Sequence, residues 1–176
     1  MITGGSMNLK SKIRTVENFP KEGISFKDIT TLLQEPEAFK YAIDELVKIA
    51  NEYDYDVIIG PEARGFIFSA PMAYEAKKPM VLVRKPGKLP SETVKHEYEL
   101  EYGTDALEIH KDAIKKGDKV LVVDDLLATG GTTKAVCELV EKLGAEVAAV
   151  LFLIELSFLD GRETLKDYTV RNVLEY

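Results

Sequence analysis

The 176-residue sequence is poor in the residues that build disulfide frameworks and metal sites, with one cysteine and two histidines. A single Cys137 cannot form an intrachain disulfide, and we expect it to be a small core residue inside a predicted helix. His96 and His110 are too few and too isolated for a zinc site. A chain of this length can bury enough apolar surface to fold without either device.

The sequence also lacks a long apolar run and a signal-peptide pattern, which predicts a cytoplasmic protein that does not bind a membrane. Acidic residues outnumber basic ones, 30 against 23, and the net charge of −7 argues against nucleic-acid binding. A local basic cluster could still bind an anionic substrate. Residues 1–6 have the composition of a cloning remnant before a start at Met7, and we leave them out of the fold prediction.

Two common nucleotide-binding signatures are missing, namely Gly-x-Gly-x-x-Gly and a glycine-rich loop ending in Gly-Lys-Ser/Thr. A different run, VLVVDDLLATGGT over 120–132, is present. It predicts a buried strand over 120–123, Asp124 and Asp125 at the carboxyl end of that strand, a small glycine-containing turn, and a helix from Thr133. Carboxylates accept hydrogen bonds from ribose hydroxyls, and N–H groups at a helix start bind phosphate. The run therefore predicts a site for a ligand that carries both groups.

The rest of the chain alternates predicted strands and helices, which is typical of a parallel sheet with helices on both faces. Hydrophobic spacing predicts helices over 36–51 and 65–76, and strands over 57–59, 80–84, 146–154 and 169–174. Near the N-terminus we predict a short helix over 10–16 and a loop over 20–29. Residues 92–110 alternate loosely and predict a β-hairpin or a flexible loop.

Five segments, in order along the chain, resemble type I phosphoribosyltransferases: residues 19–29, 60–66, 84–90, 100–103 and 124–132. The resemblance covers residues 13–176, and the spelling DDLLATGGT is similar to the members that act on adenine. It implies an α/β fold with a central, mainly parallel sheet flanked by helices, a small hood region and a flexible β-hairpin loop. It also implies one domain over 7–176, with the hood over 7–35 and the flexible catalytic loop over 92–110.

The resemblance implies a reaction in purine salvage, in which adenine and 5-phosphoribosyl 1-diphosphate (PRPP) give AMP and diphosphate. Mg²⁺ would be bound to PRPP, near Asp124 and Asp125 but without direct protein ligands. A homodimer is the implied assembly.

The same resemblance assigns roles to residues on both sides of the substrate. Asp124 and Asp125 would hold the ribose, and Arg64, Lys85 and Lys88 would bind the diphosphate. The 5′-phosphate would lie in the loop formed by Ala128, Thr129, Gly130, Gly131 and Thr132.

On the side of the base, Glu101 would handle the purine proton, with Tyr102 beside it in a loop that excludes water. Phe26 and Leu126 would enclose the purine ring, next to Ser25 and Lys27. Common members have an apolar residue at Ser25 and often arginine at Lys27, so the contacts to the base edge stay open. The hypoxanthine–guanine enzymes carry an aspartate where this chain has Ala128, which favours adenine and shifts proton handling to Glu101.

Plainer interpretations stand beside these roles. The acidic pair could cap a helix, the lysines and Glu101 could be solvated surface residues, and Phe26 could anchor a loop. Alternatives at the level of the whole protein are a transferase for xanthine or orotate, a non-catalytic PRPP-binding regulator, and a nucleotide-binding structural protein. The regulator would need an added DNA-binding segment, and the structural protein would not need Glu101.

Overall fold

The computed structural model describes residues 5–100 and 102–176. The chain divides into two compact units, Met1–Glu45 and Leu46–Tyr176. The single domain expected from the sequence stays a prediction.

The first unit is built around a two-stranded antiparallel sheet. A 3-10 turn, Leu9–Lys12, precedes strand β1 (Arg14–Glu17), which pairs with β2 (Ser25–Asp28). Two predictions were therefore wrong: the helix expected over 10–16 stops at Lys12, and the loop expected over 20–29 ends in a strand. Both predictions used local propensity alone, whereas the extended conformation of each segment is set by its pairing with the other, about ten residues away.

Two helices follow this sheet, α1 (Thr30–Leu33) and α2 (Pro36–Ala50). Helix α2 confirms the prediction apart from its last residue. Pro36 suits the first turn, where its fixed φ matches the helix and no N–H is needed. Its buried face carries Ala38, Ala42, Leu46 and Ala50, at the spacing that the sequence predicts.

The described residues of the second unit form seven strands: β3 (Val57–Pro61), β4 (Met80–Val83), β5 (Thr93–Glu99), β6 (Thr104–His110), β7 (Lys119–Leu127), β8 (Glu146–Glu155) and β9 (Val170–Glu175). Five of them form a fully parallel sheet in the order β4-β3-β7-β8-β9. Strands β5 and β6 form a separate antiparallel hairpin, one of the two forms predicted for residues 92–110.

Strand β7 is longer than the sequence predicts. Its pairing with β8 continues past Val123 through Leu126↔Ile154 and Leu127↔Glu155. Asp124 and Asp125 therefore lie within the strand, near its carboxyl end, rather than after it.

The second unit also contains the helices α3 (Arg64–Ala76), α4 (Gly131–Lys142) and α5 (Gly161–Thr164). Helix α4 begins two residues before the predicted start. Its buried face includes Cys137, as expected, and burial raises the pKa of that thiol to about 12. No helix in the described part of the chain is long and apolar enough to cross a membrane.

Candidate active site

A cavity of about 310 Å³ opens where strands β3, β4 and β7 end. In open α/β sheets this edge is where ligands bind, because the loops that follow parallel strands meet there. Most of the residues predicted for the PRPP site line it. The lining consists of Glu62, Ala63, Arg64, Lys85, Asp124, Asp125, Leu126, Ala128, Thr129, Gly130, Gly131, Thr132 and Thr133.

The loop from β7 to α4 forms one wall of this cavity. Gly130 takes a left-handed conformation (φ 87°) and its carbonyl accepts a hydrogen bond from the Lys134 N–H at 2.9 Å, which closes the first turn of α4. The N–H groups of the first helical residues have no partner four residues back, so they are available to an anion. Thr133, buried and also in the wall, is a residue that the sequence did not single out.

A close contact with the C-terminal segment supports this loop. A Cβ atom added to Gly161 would lie 2.4 Å from the Ala128 carbonyl oxygen and 2.8 Å from Leu127 Cδ1. A Cβ on Gly130 would lie 2.9 Å from the Gly161 carbonyl oxygen and 3.1 Å from Thr164 Cβ. Two glycines thus let helix α5 pack directly on the backbone of residues 128–132, the loop that the sequence predicts to bind phosphate (below, the phosphate loop). Sequence reasoning missed Gly161, since it lies about thirty residues away from the loop.

The two carboxylates of the acidic pair, Asp124 and Asp125, have different surroundings. Asp125 is buried and forms an ion pair with Arg64, with 2.9 Å between Oδ2 and Nε. Asp124 Oδ1 accepts a hydrogen bond from the Asp125 N–H at 2.8 Å. Burial, and then the neighbouring carboxylate of Asp125, raise the pKa of Asp124 well above its ordinary value. The charged form of Asp124 is therefore disfavoured in the free protein, and a hydroxyl donor or a cation from a ligand would stabilise it.

Glu62 connects the two basic turns of the cavity. Its Oε1 accepts a hydrogen bond from the Lys85 backbone N–H at 2.6 Å and lies 3.3 Å from Arg84 Nε. The ammonium of Lys85 forms an ion pair with Asp105 on the hairpin. Burial lowers the pKa of Lys85, but the hydrogen bond to Asp105 and the charges of Tyr98, Asp105 and Glu62 together outweigh it, so the net pKa of Lys85 is raised.

Two predicted residues of the second unit, Lys88 and Tyr102, do not line the cavity. Lys88 is exposed and is not among the residues that line the cavity. Tyr102, in the turn of the hairpin, has 86% of its surface exposed. Glu101 lies outside the described residues.

The predicted base-binding residues on β2 belong to the first unit. Phe26 meets Phe19 edge to face, with ring centroids 5.1 Å apart, and both line an apolar cavity of about 260 Å³. Ser25 Oγ donates to Glu17 Oε1 at 3.3 Å, and Lys27 Nζ donates to Thr15 Oγ1 at 3.0 Å. Phe26 is therefore half of an aromatic pair within this unit.

The oxygen atoms of the 310 Å³ cavity suit a cation that is also coordinated by oxygens of a bound ligand. Asp124 and Asp125 offer carboxylate oxygens, the ligands that Mg²⁺ prefers. In the described part of the chain, no group of three or more His, Cys, Asp or Glu side chains could hold a metal ion. A Mg²⁺ ion at this place would need further oxygens, which a diphosphate supplies.

We predict that Asp124→Asn makes the unliganded protein more stable. The variant removes a half-buried carboxylate whose charged form is disfavoured, and it keeps an oxygen that accepts the Asp125 N–H bond. We expect a rise in Tm of about 2–4 °C, the shift produced by ~1 kcal/mol in a chain of this size. Scanning calorimetry at pH 7 measures it. Asp125→Asn is the matched control, and it should lower Tm because it breaks the ion pair with Arg64.

The sign of the pH dependence follows from the raised pKa of Asp124. Its protonated form is favoured by folding, so the wild type loses stability as the pH rises from below the unfolded pKa through the folded one. The gain from Asp124→Asn should therefore be larger at pH 7 than at pH 4. An equal gain at both values, or a lower Tm at pH 7, would contradict the assignment.

A second prediction concerns Gly161→Ala. The added methyl group would overlap the Ala128 carbonyl oxygen, so the phosphate loop must shift. The sequence predicts that this loop binds a ligand with ribose hydroxyls and a phosphate, and we expect the affinity for such a ligand to fall about tenfold or more, while the far-ultraviolet circular dichroism spectrum stays that of the wild type. Titration calorimetry with a nucleoside 5′-monophosphate as the probe measures the change. Wild-type affinity in a folded variant would show that the contact does not set the loop geometry.

Comparison with known proteins adds to this geometry. A family model described as a phosphoribosyl transferase domain matches residues 28–174. The adenine phosphoribosyltransferase of Caldicellulosiruptor bescii is 62% identical over 97% of each chain.

Solved structures agree with the sequence comparison. The adenine phosphoribosyltransferase of Thermoanaerobacter pseudethanolicus has a TM-score of 0.93 and 54% identity, with 96% of this chain and 98% of that chain covered. The Saccharomyces cerevisiae enzyme, solved with adenine and an imino-altritol bisphosphate, has a TM-score of 0.88 and 42% identity, with coverages of 94% and 96%. The chain belongs to the adenine phosphoribosyltransferase family.

Proposed function

We propose that this chain converts adenine and PRPP into AMP and diphosphate, as an enzyme of purine salvage. One observation carries the proposal: a single cavity joins an acidic pair, a guanidinium, an ammonium and the start of helix α4. These groups match the hydroxyls, the diphosphate and the 5′-phosphate of PRPP. The Saccharomyces cerevisiae relative, solved with adenine and a bisphosphate, supports the choice of ligands.

The 5′-phosphate would bind the loop from Ala128 to Thr132, where backbone N–H groups and threonine hydroxyls donate to its oxygens. The ribose hydroxyls would then reach Asp124 and Asp125. These two side chains lie on strand β7, four and three residues before the loop begins at Ala128, so one rigid element orients both groups. We assign the ribose and phosphate to these residues.

The diphosphate would lie toward Arg64 and Lys85, with Lys88 available from the exposed part of the turn. In the reaction the bond from C1′ of the ribose to the diphosphate oxygen breaks, and a bond from a purine nitrogen to C1′ forms. Positive charge develops on the ribose ring, and negative charge collects on the leaving group. Arg64 and Lys85 would stabilise that negative charge through charge-assisted hydrogen bonds.

Mg²⁺ bound to PRPP is part of the proposal. When bound, the ion would neutralise charge on the diphosphate, and Asp124 and Asp125 are the residues that would face it. The raised pKa of Asp124 supports this arrangement, since a cation would favour its ionised form.

Proton handling at the base is assigned to Glu101. The attacking purine nitrogen loses a proton, and a carboxylate at that place can accept it. At the position where the hypoxanthine–guanine enzymes carry an aspartate, this cavity is lined by Ala128, whose side chain cannot accept a proton. Tyr102, exposed in the hairpin turn, is free to contact a substrate. Phe26 and Leu126 would enclose the ring, with Ser25 and Lys27 beside it.

We further propose that the enzyme acts as a homodimer in the cytoplasm. Membership in the family supports both statements. Size-exclusion chromatography with light scattering measures the first of them directly.

The proposed reaction predicts the outcome of a substrate panel. The purified chain with Mg²⁺ and PRPP should form AMP and diphosphate from adenine, and little product from hypoxanthine, guanine, xanthine or orotate. Product formation followed by chromatography measures this. Turnover of another base would overturn the assignment of adenine, and PRPP binding without any turnover would favour a regulator.

A second prediction tests the proton acceptor. Glu101→Gln should lower kcat about a hundredfold or more and leave the affinity for PRPP within about threefold, because only proton transfer is removed. Glu99→Gln, an exposed glutamate on the same hairpin, is the matched control and should keep wild-type kcat. Equal effects of the two substitutions would rule out a specific role for Glu101.

A further inference from the structure

Two residues of the hairpin link the diphosphate side of the cavity to the phosphate-loop side. Tyr98 on β5 and Asp105 on β6 face each other directly in the hairpin register. Neither was singled out from the sequence, where both lie in a segment rich in charged and aromatic residues. Their side chains reach cavity residues from two different loops.

The contacts form a continuous polar chain. The Asp105 carboxylate pairs with the Lys85 ammonium, and Asp105 Oδ1 also accepts the Ala106 N–H at 2.8 Å. The Tyr98 hydroxyl donates to Asp105 Oδ2 at 3.4 Å. The same hydroxyl lies 3.4 Å from Thr132 Oγ1 in the phosphate loop. The order of groups is therefore Lys85, Asp105, Tyr98 and Thr132.

We propose that Tyr98 and Asp105 are positioning residues, which hold Lys85 in place for the diphosphate of the substrate and Thr132 in place for its 5′-phosphate. The proposal rests on the proposed function, since it assigns the diphosphate to Lys85 and the 5′-phosphate to the loop. It adds two residues that contact no substrate and act through residues that do.

The physical reason lies in the freedom of a lysine side chain. Lys85 has four rotatable side-chain bonds and would lose much of that freedom on binding a diphosphate. An ion pair to Asp105 fixes the ammonium at the cavity wall beforehand, so less entropy is lost when the substrate binds. An ammonium has three N–H donors, so contact with Asp105 leaves donors for the diphosphate. Asp105, Tyr98 and Glu62 face Lys85 and together keep it charged.

The two residues should not contribute equally. The Lys85–Asp105 contact is an ion pair, although exposures of 43% and 29% mean that solvent screens part of it. The two hydroxyl contacts of Tyr98 are long for O–H···O bonds and therefore weak. We expect the larger effect from Asp105 and a smaller one from Tyr98.

The test compares hairpin variants in steady-state assays with PRPP and adenine. Asp105→Asn should raise KM for PRPP about tenfold, and Tyr98→Phe about threefold, while KM for adenine stays within about twofold. Tyr98→Phe keeps the ring, which packs against the apolar core, so its folding is expected to be unchanged. Glu97→Gln breaks the exposed Lys95–Glu97 pair of the same hairpin and is the matched control, with no change expected.

A double-mutant cycle shows whether Asp105 acts through Lys85. In a Lys85→Ala background, Asp105→Asn should have less than a third of its effect on KM for PRPP, because its partner is gone. Titration of the folded proteins with inorganic diphosphate and Mg²⁺ should give the same pattern in Kd. If the role of Asp105 is purely structural, Asp105→Asn should keep its full effect on KM for PRPP in the Lys85→Ala background.

Each outcome decides between the alternatives. Wild-type turnover of adenine, with PRPP-specific KM effects that vanish without Lys85, supports the positioning role. Turnover with unchanged KM for PRPP in Asp105→Asn, or with equal effects on both substrates, overturns it and leaves the proposed function intact. Absence of turnover in the wild type would instead contradict the proposed function.

Discussion

The parallel pairing of strand β7 between β3 and β8 is the constraint on which the site depends. Its residues Val120 to Val123 are fully buried, so the strand cannot shift without exposing core. The register Ile59↔Val122 brings the end of β3 beside the end of β7. Arg64, three residues after β3, can therefore reach Asp125, and the phosphate loop begins where β7 ends. The apolar core thus sets the distances among the polar groups of the cavity.

Electrostatic strain is concentrated at the edge that the core holds in place. Two adjacent carboxylates are kept partly or wholly out of water, and one guanidinium pairs with only one of them. Such an arrangement costs stability in the free protein and favours ligands that bring hydroxyl donors or positive charge. On the opposite wall, Glu62 accepts the Lys85 backbone N–H and Asp105 pairs with the Lys85 ammonium, so this basic side chain is already in place when an anion binds.

The parts of the site that could be predicted are those contained in one continuous run. Residues 120–132 carry a buried strand, an acidic pair and a helix start within thirteen positions, so their proximity needs no tertiary information. The parts that were missed depend on contacts between distant segments. Gly161 must be a glycine because the Ala128 carbonyl lies against it in the folded chain. Asp105 matters because folding brings it to Lys85, which lies twenty residues earlier in the sequence. For the same reason the pairing of Arg14–Glu17 with Ser25–Asp28 could not be seen in local propensity.

The burial of Cys137 has a practical consequence. Its thiol is fully buried in helix α4, and its raised pKa keeps it protonated at neutral pH. The folded protein therefore behaves toward thiol reagents as if it had no cysteine. A cysteine introduced at an exposed position of the hairpin turn would be the one accessible thiol in the molecule. A fluorophore attached there would report on the surroundings of the hairpin in solution without any prior removal of native residues.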